Sequence, residues 1–359
     1  MKKLTTTALV SSLMLFGTSA IAQVSTSGNL NIGYRALSAD AGATSKQGSF
    51  SGVTKESQIN FGNKGKLNNG LDYAVGFSLE FDGQDGVSGS NGWNSENTYI
   101  DLTSGGTTIT LGADHIQNSD VNLSNILGIG YTAMHGVSST AGTVVNGSYP
   151  QTAASNYGAY GIGVVQNVGV GNISANYTPS RAGTTASNDI FNNDNPATYE
   201  ANESAIELVF RGGLGVKGLT VLASIAKSDA QDGTTTDIKG QRLAAQYNFG
   251  QITVGIDRVK EEGLSGATTA AVSNEERTGT GVGIAFAVNS NLSVGAHYAK
   301  TDRTAAGVSS TSDEKYKAIQ IGYNFGPIAL QVEGKRGENV GNSAGADADQ
   351  IGLLLSSKF

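Results

Sequence analysis

Between Leu71 and Asp82 the chain alternates without a break. Leu71, Tyr73, Val75, Phe77, Leu79 and Phe81 share one parity, and Asp72, Ala74, Gly76, Ser78, Glu80 and Asp82 share the other. A helix, with its 3.6-residue period, would scatter both sets around its axis, whereas a strand puts them on opposite faces. The same pattern ends the chain. Ile351, Leu353, Leu355 and Phe359 lie on one parity, with Gln350, Gly352, Ser356 and Lys358 on the other beside its one apolar member, Leu354. A free edge strand with an oily face invites edge-to-edge aggregation. A strand that closes a barrel has no free edge, and its oily face can meet lipid.

Composition narrows the class. The chain has 359 residues, 50 of them Gly and none Cys, so disulfides, thiolate metal sites and Cys nucleophiles are all absent. Hydrophobic content is 38% with a mean hydropathy of −0.16, and beyond the amino terminus no apolar run reaches the length of a membrane helix. A membrane barrel hides its oily face in alternation and can read as hydrophilic on average. At the amino terminus, Lys2 and Lys3 precede the apolar run around Leu13 to Phe16, and Ala20-Ile21-Ala22 offers a small-residue cleavage site. Residues 1–22 therefore read as a secretory signal peptide, with residues 23–359 as the exported barrel domain. Losing Lys2 and Lys3 takes the formal charge from −7 to −9, a balance that argues against nucleic acid as a partner.

From Val24 onward the unit repeats as strand, short turn, strand, longer polar loop. The first strand sets Leu30, Ile32 and Tyr34 against Asn29, Asn31 and Arg35, and a Gly/Ser-rich loop is expected to run to about Ser57. Hairpins follow from Ile59, Tyr99, Gly158, Ile206, Leu243, Val282 and Ile319, and the expected loop 334–348 leads into the last strand. Seven hairpins with a first and a last strand give 16 strands, joined by short turns at one end and longer loops at the other. That asymmetry is the mark of an antiparallel, up-and-down transmembrane β-barrel with short periplasmic turns and long extracellular loops. The aromatics agree. Phe61, Phe210, Phe249, Phe325 and Phe359 stand at short-turn ends, and Tyr34, Phe81, Tyr177 and Tyr298 at long-loop ends, as two interfacial girdles would require.

Two stretches carry a family resemblance. The alternating last strand ending in Phe359 resembles the carboxy-terminal assembly signal of Gram-negative outer-membrane barrels. The stretch from Phe61 to Glu80 resembles the second hairpin of the general porins, with its glycine-containing turn before Gly70-Leu71 and its Glu near the strand end. The resemblance extends over the whole exported chain through its architecture. It implies a trimeric, 16-stranded, water-filled channel in the outer membrane of a Gram-negative bacterium. Membrane lipid and lipopolysaccharide would surround it, the outer-membrane barrel-assembly machinery would insert it, and ions and small hydrophilic solutes would cross it. It further implies that the third outside loop, residues 114–157 here, folds inward as a constriction bearing Asp114, His115 and Asp120. The chain departs from the family's basic ladder: Gln58 and Gly112-Ala113-Asp114 stand where such porins commonly carry Arg.

Parity assigns the pore-lining wall to Arg35, Gln58, Asp72, Glu80, Glu207, Arg211, Arg242, Asp257 and Glu333. A closed, dry core would not hold so many charges, so the inner face reads as wet. Acids outnumber bases in this set, which points to a mild cation preference. Other motifs yield nothing. Gly213 to Gly218 spells a dinucleotide fingerprint but continues into an alternating strand at Leu219, so it reads as a turn. His115, His135 and His297 are scattered without metal-ligand spacing, and no cofactor is implied. Asp347-Ala348-Asp349 is too sparse for a calcium loop and reads as solvated loop acids. No nucleophile and base stand together in the sequence, which argues against an enzyme. A solute-specific channel is the nearest alternative, though inward parities offer few aromatics. A surface adhesin built as a solenoid would repeat at a fixed period, and these hairpins do not.

Overall fold

Alternation becomes strand after strand in the computed structural model, which describes residues 24–39, 48–83, 94–113, 123–128, 160–178, 204–228, 238–265, 273–304, 313–340 and 345–359. The strands are β1 (Ser25–Ala39), β2 (Gly48–Lys66), β3 (Asp72–Gly83), β4 (Asn94–Ser104), β5 (Thr107–Ala113), β6 (Tyr160–Asn167), β7 (Gly171–Thr178) and β8 (Ala205–Gly212). They continue as β9 (Leu219–Ser228), β10 (Ile238–Asn248), β11 (Ile252–Ser265), β12 (Ser273–Ala287), β13 (Leu292–Thr304), β14 (Glu314–Phe325), β15 (Ile328–Glu338) and β16 (Ala348–Lys358). Each pairs antiparallel with its neighbours in sequence, and β16 pairs with β1, so the sheet closes as a 16-stranded barrel. Closure satisfies every strand edge, which is the condition for a sheet to stand in lipid.

The two parities separate as read. Ile32, Ile256, Ile284, Ile319 and Ile351 are exposed on the outside, while Arg35, Glu207, Asp257, Gln320 and Glu333 are buried on the inside. An outer surface of large aliphatic and aromatic side chains around so polar an interior fits a protein surrounded by hydrocarbon. At the short-turn end, Phe61 stacks on Phe77 with ring centroids 5.1 Å apart, and Tyr323 meets Phe325 edge-on at 4.5 Å. The Gly213–Gly218 stretch lies between β8 and β9 as a turn, with Leu214 and Gly215 both at positive φ.

Several boundaries move. The expected loop up to Ser57 is wrong, because β2 starts at Gly48 and pairs with β1 as far as Ala39. Likewise β15 runs to Glu338 rather than stopping at the loop expected from Gly334, and β12 starts at Ser273, nine residues before the alternation at Val282 becomes visible. The physical reason is common to all three. Beyond the lipid band the ladder persists through backbone hydrogen bonds, while the outward face no longer has to be apolar, so the period-two signal fades before the strand does.

Candidate functional site

Inside the barrel, one short segment between β5 and β6 organises the wall. Residues 123–128 lie against the inner faces of β8 to β14, and each contact has a local cause. The Leu123 side chain is buried with Val209 of β8, Leu222 of β9 and Ala244 of β10, all inward-facing. Apolar residues are out of place in a wet lumen unless something covers them, and Leu123 does. Burying a leucine in this way contributes about 1.5–3 kcal/mol.

The backbone of the segment rests on glycines. A Cβ on Gly255 would meet the Leu123 carbonyl oxygen, and one on Gly283 would meet that of Ser124. A Cβ on Gly295 would come within 3.1 Å of Leu127 Cδ1. Gly255 is paired with Gly283 across β11 and β12, and Gly281 lies two residues before Gly283 on the same inward face. The missing side chains form a track into which a main chain fits.

Polar groups fix the segment along that track. Asp257 Oδ2 accepts a hydrogen bond from the Leu123 N–H at 3.3 Å, and Gln246 Nε2 donates to the Leu123 carbonyl at 3.4 Å. Arg242 grips Asp257 with both forks, Nε to Oδ1 at 3.1 Å and NH2 to Oδ2 at 2.6 Å. Both partners are essentially buried, at 2% and 1% side-chain exposure. Such a bidentate pair holds the carboxylate in one orientation, aimed at the segment. Further along, Ser124 Oγ lies 3.1 Å from His297 Nε2, and Gln320 Nε2 bonds Asn125 Oδ1 and, at 2.7 Å, Glu333 Oε2. Glu333 in turn pairs with Lys335, whose ammonium sits 5.7 Å from the centre of the Tyr316 ring.

The sequence-assigned wall residues divide by height. Arg35, Glu80, Glu207, Arg242, Asp257 and Glu333 are buried on the inner wall, and Gln58 is half-buried there. Asp72 and Arg211 stand exposed at the short-turn end, Asp72 held by Lys66 at 2.6 Å. Asp114, His115 and Asp120 lie outside the described residues, as do His135 and residues 1–22. Phe359 closes the seam outside, exchanging backbone hydrogen bonds with Gly28 at 2.9 and 3.0 Å.

Among the described residues, parity reading missed four buried inner charges. Lys335, which shares the parity of Glu333, is a buried inward base, and Glu56, Glu261 and Glu314 are buried inward acids. Their signal was in the sequence, but in strand extensions read as loop or left unassigned. Two sequence expectations also change. A nucleophile and a base do meet, Ser124 with His297, yet at 0% and 4% exposure they leave no room for a substrate and act as a fastening. Asp347 and Asp349 are not merely solvated acids, since Arg336 reaches them at 3.2 and 3.4 Å.

Comparison with known proteins agrees with this architecture. The family model of Gram-negative porins matches residues 5–354. No curated protein sequence matches. Among solved structures, an anion-selective porin from Comamonas acidovorans superposes with a TM-score of 0.66 at 16% identity, covering 94% of this chain and 100% of that one. The outer-membrane-expressed OmpT of Vibrio cholerae gives 0.62 at 13% identity over 96% of this chain and 99% of that one. The in-vitro folded OmpT, described as a trimer form, gives 0.60 at 14% identity, with 94% and 99% covered.

Proposed function

The chain belongs to the Gram-negative porin family, whose members are β-barrel channels of the outer membrane and not enzymes, and on that premise we propose a homotrimeric, mildly cation-preferring diffusion channel for ions and small hydrophilic solutes. Residues 1–22 are its export leader, and the barrel-assembly machinery, membrane lipid and lipopolysaccharide are its partners. The third loop, residues 114–157, is its constriction. The observation that carries this reading is the seating of residues 123–128 on the inner glycine track, fastened by Asp257, His297 and Gln320. A segment held so firmly inside the wall narrows the path for as long as the barrel is folded. The trimer form of the similarly folded outer-membrane protein OmpT supports the assembly.

Charge supports the ion preference. Asp257 is matched by Arg242, and Glu333 by Lys335. Counted together with these pairs, the buried inner-wall charges among the described residues are the acids Glu56, Glu80, Glu207, Asp257, Glu261, Glu314 and Glu333 against the bases Arg35, Arg242 and Lys335. In the circle of strands, β3 lies eight strands from β11, so Glu80 faces the docked segment across the lumen, with Glu56 on the adjacent β2. Fixed charge inside a low-dielectric wall focuses its field on the path, whereas charges beyond about 8 Å are screened at physiological salt. A solute-specific channel would present aromatic faces along the path. Tyr316, an inward aromatic, is covered at 2% exposure.

The test is the zero-current potential across a planar bilayer under a KCl gradient. The unmodified protein should read on the cation side, and less so when Asp114 and Asp120 are both changed to Asn. Deleting residues 122–153 should raise conductance. An anion-side potential overturns the charge argument, and unchanged conductance after the deletion removes the constriction from this loop.

A further inference from the structure

A second part of the chain also enters the lumen, from the loop between β15 and β16. Val340 and Ala346 are 1% and 0% exposed, although they belong to a connection at the outer mouth. They bury against Leu37, Ala299, Tyr316 and Ala318, which all point inward from β1, β13 and β14. Val340 sits so close to the inner wall that a Cβ on the inward Gly337 would approach its Cγ2 to 2.8 Å. An apolar cluster of this kind inside a polar lumen has the same logic as the Leu123 pad: apolar wall positions are tolerated because an apolar side chain covers them.

The turn that delivers Val340 is built to hold. Its N–H donates to the Ala346 carbonyl at 2.7 Å, closing the base of the turn. Asn339, at a positive φ of 53°, accepts from the Gly345 N–H at 3.0 Å and donates to the Asp313 carbonyl at 3.1 Å. Asp347 accepts the Asn339 N–H at 3.3 Å and is itself paired with Arg336. A non-glycine residue in the left-handed region persists only where its surroundings over-determine it.

We propose that Val340 and Ala346 form a second lumen insert, distinct from the third loop, which covers the inner wall from β13 round to β1. Residues 123–128 cover the wall from β8 to β14, so the two inserts occupy adjoining parts of the lumen and together narrow it. The inference rests on the channel reading for its consequence but not for its geometry, and the experiment separates the two.

The chain has no cysteine, so Val340→Cys gives a single thiol. In the folded, detergent-solubilised protein it should react with a small charged methanethiosulfonate at least about tenfold more slowly than Ser290→Cys, which lies on an exposed turn. Equal rates overturn the docking. Val340→Asp puts a charge into a buried apolar cluster, so it should expel the turn, raise single-channel conductance about 1.5-fold and admit larger sugars into proteoliposomes. A folded Val340→Asp barrel with unchanged conductance and sugar cut-off refutes the narrowing. Should that variant fail to fold, Val340→Gly, which only removes the side chain, takes its place with the same readings. An unmodified protein that passes no current sinks the channel reading, while the thiol rates still decide whether the turn is docked.

Discussion

The ring of Phe359 lies across Gly28, so that a Cβ at position 28 would come within 2.8 Å of the ring's Cε2. The same two residues exchange both backbone hydrogen bonds where β16 meets β1. The last side chain thus covers the first strand on the outside of the barrel, and a glycine makes the space for it. Gly28→Val should displace the ring from its seat, its Cβ also pressing on the Gln58 carbonyl, while the terminal Phe stays in place. Folded, heat-modifiable protein in the outer-membrane fraction should fall in Gly28→Val and fall further when Phe359 is deleted. Wild-type amounts of folded barrel in the deletion would show that the terminal aromatic is dispensable for closure.

The docked segment should come away when its track is filled. Gly283 has ordinary strand backbone, so a side chain there costs little locally and the strain falls on the Ser124 carbonyl in front of it. Gly283→Val and Leu123→Ala should both raise channel conductance, Leu123→Ala by losing a buried contact worth about 2–5 kcal/mol. Planar-bilayer recording reads this directly. Conductance unchanged in both would mean that the segment does not limit the current.

Breaking the Arg242–Asp257 pair from one side should be worse than removing it whole. Arg242→Leu leaves Asp257 buried without its partner, a loss of about 3–5 kcal/mol for a pair of this kind. Changing Asp257→Asn as well should recover much of that loss, because the uncompensated charge is gone. The temperature at which the folded barrel dissociates in detergent measures both. A double variant no more stable than Arg242→Leu would place the cost elsewhere.

Sidedness is testable with the same cysteine-free background. Cysteines at Ile256 and Ile321 face outward and should be shielded from water-soluble reagents in the membrane, whereas those at Gln58 and Gln246 should react through the lumen. Ser78 and Gln320 share the inner parity but are too covered, at 0% and 1% exposure, to serve as probes. Similar rates for the two sets would contradict the inner and outer assignment.

Selectivity should respond to the wall facing the segment. Glu56→Gln with Glu80→Gln removes two buried inner acids on the neighbouring strands β2 and β3, and the zero-current potential in a KCl gradient should shift toward the anion side. No shift would assign the selectivity to charges elsewhere in the lumen.

Alternation by itself determined the strands, their number and their two faces, because side-chain parity is a local property of extended backbone and lipid demands that it be regular. Leu71 to Asp82 and Gln350 to Phe359 could therefore be read without knowing their neighbours. The same locality explains why β2 looked too short: outside the lipid band the chain keeps its ladder but loses its pattern. Only the tertiary structure decided what the inner face does. Gly255, Gly283 and Gly295 were merely small inward residues until Leu123, Ser124 and Leu127 came to lie on them. Val209, Leu222 and Ala244 looked misplaced until Leu123 covered them, as Leu37 and Tyr316 did until Val340 reached them from more than twenty positions away in sequence. These meetings depend on how the barrel closes and where its loops return. No period along the chain encodes them, since they are contacts between segments whose spacing is set by the whole sheet.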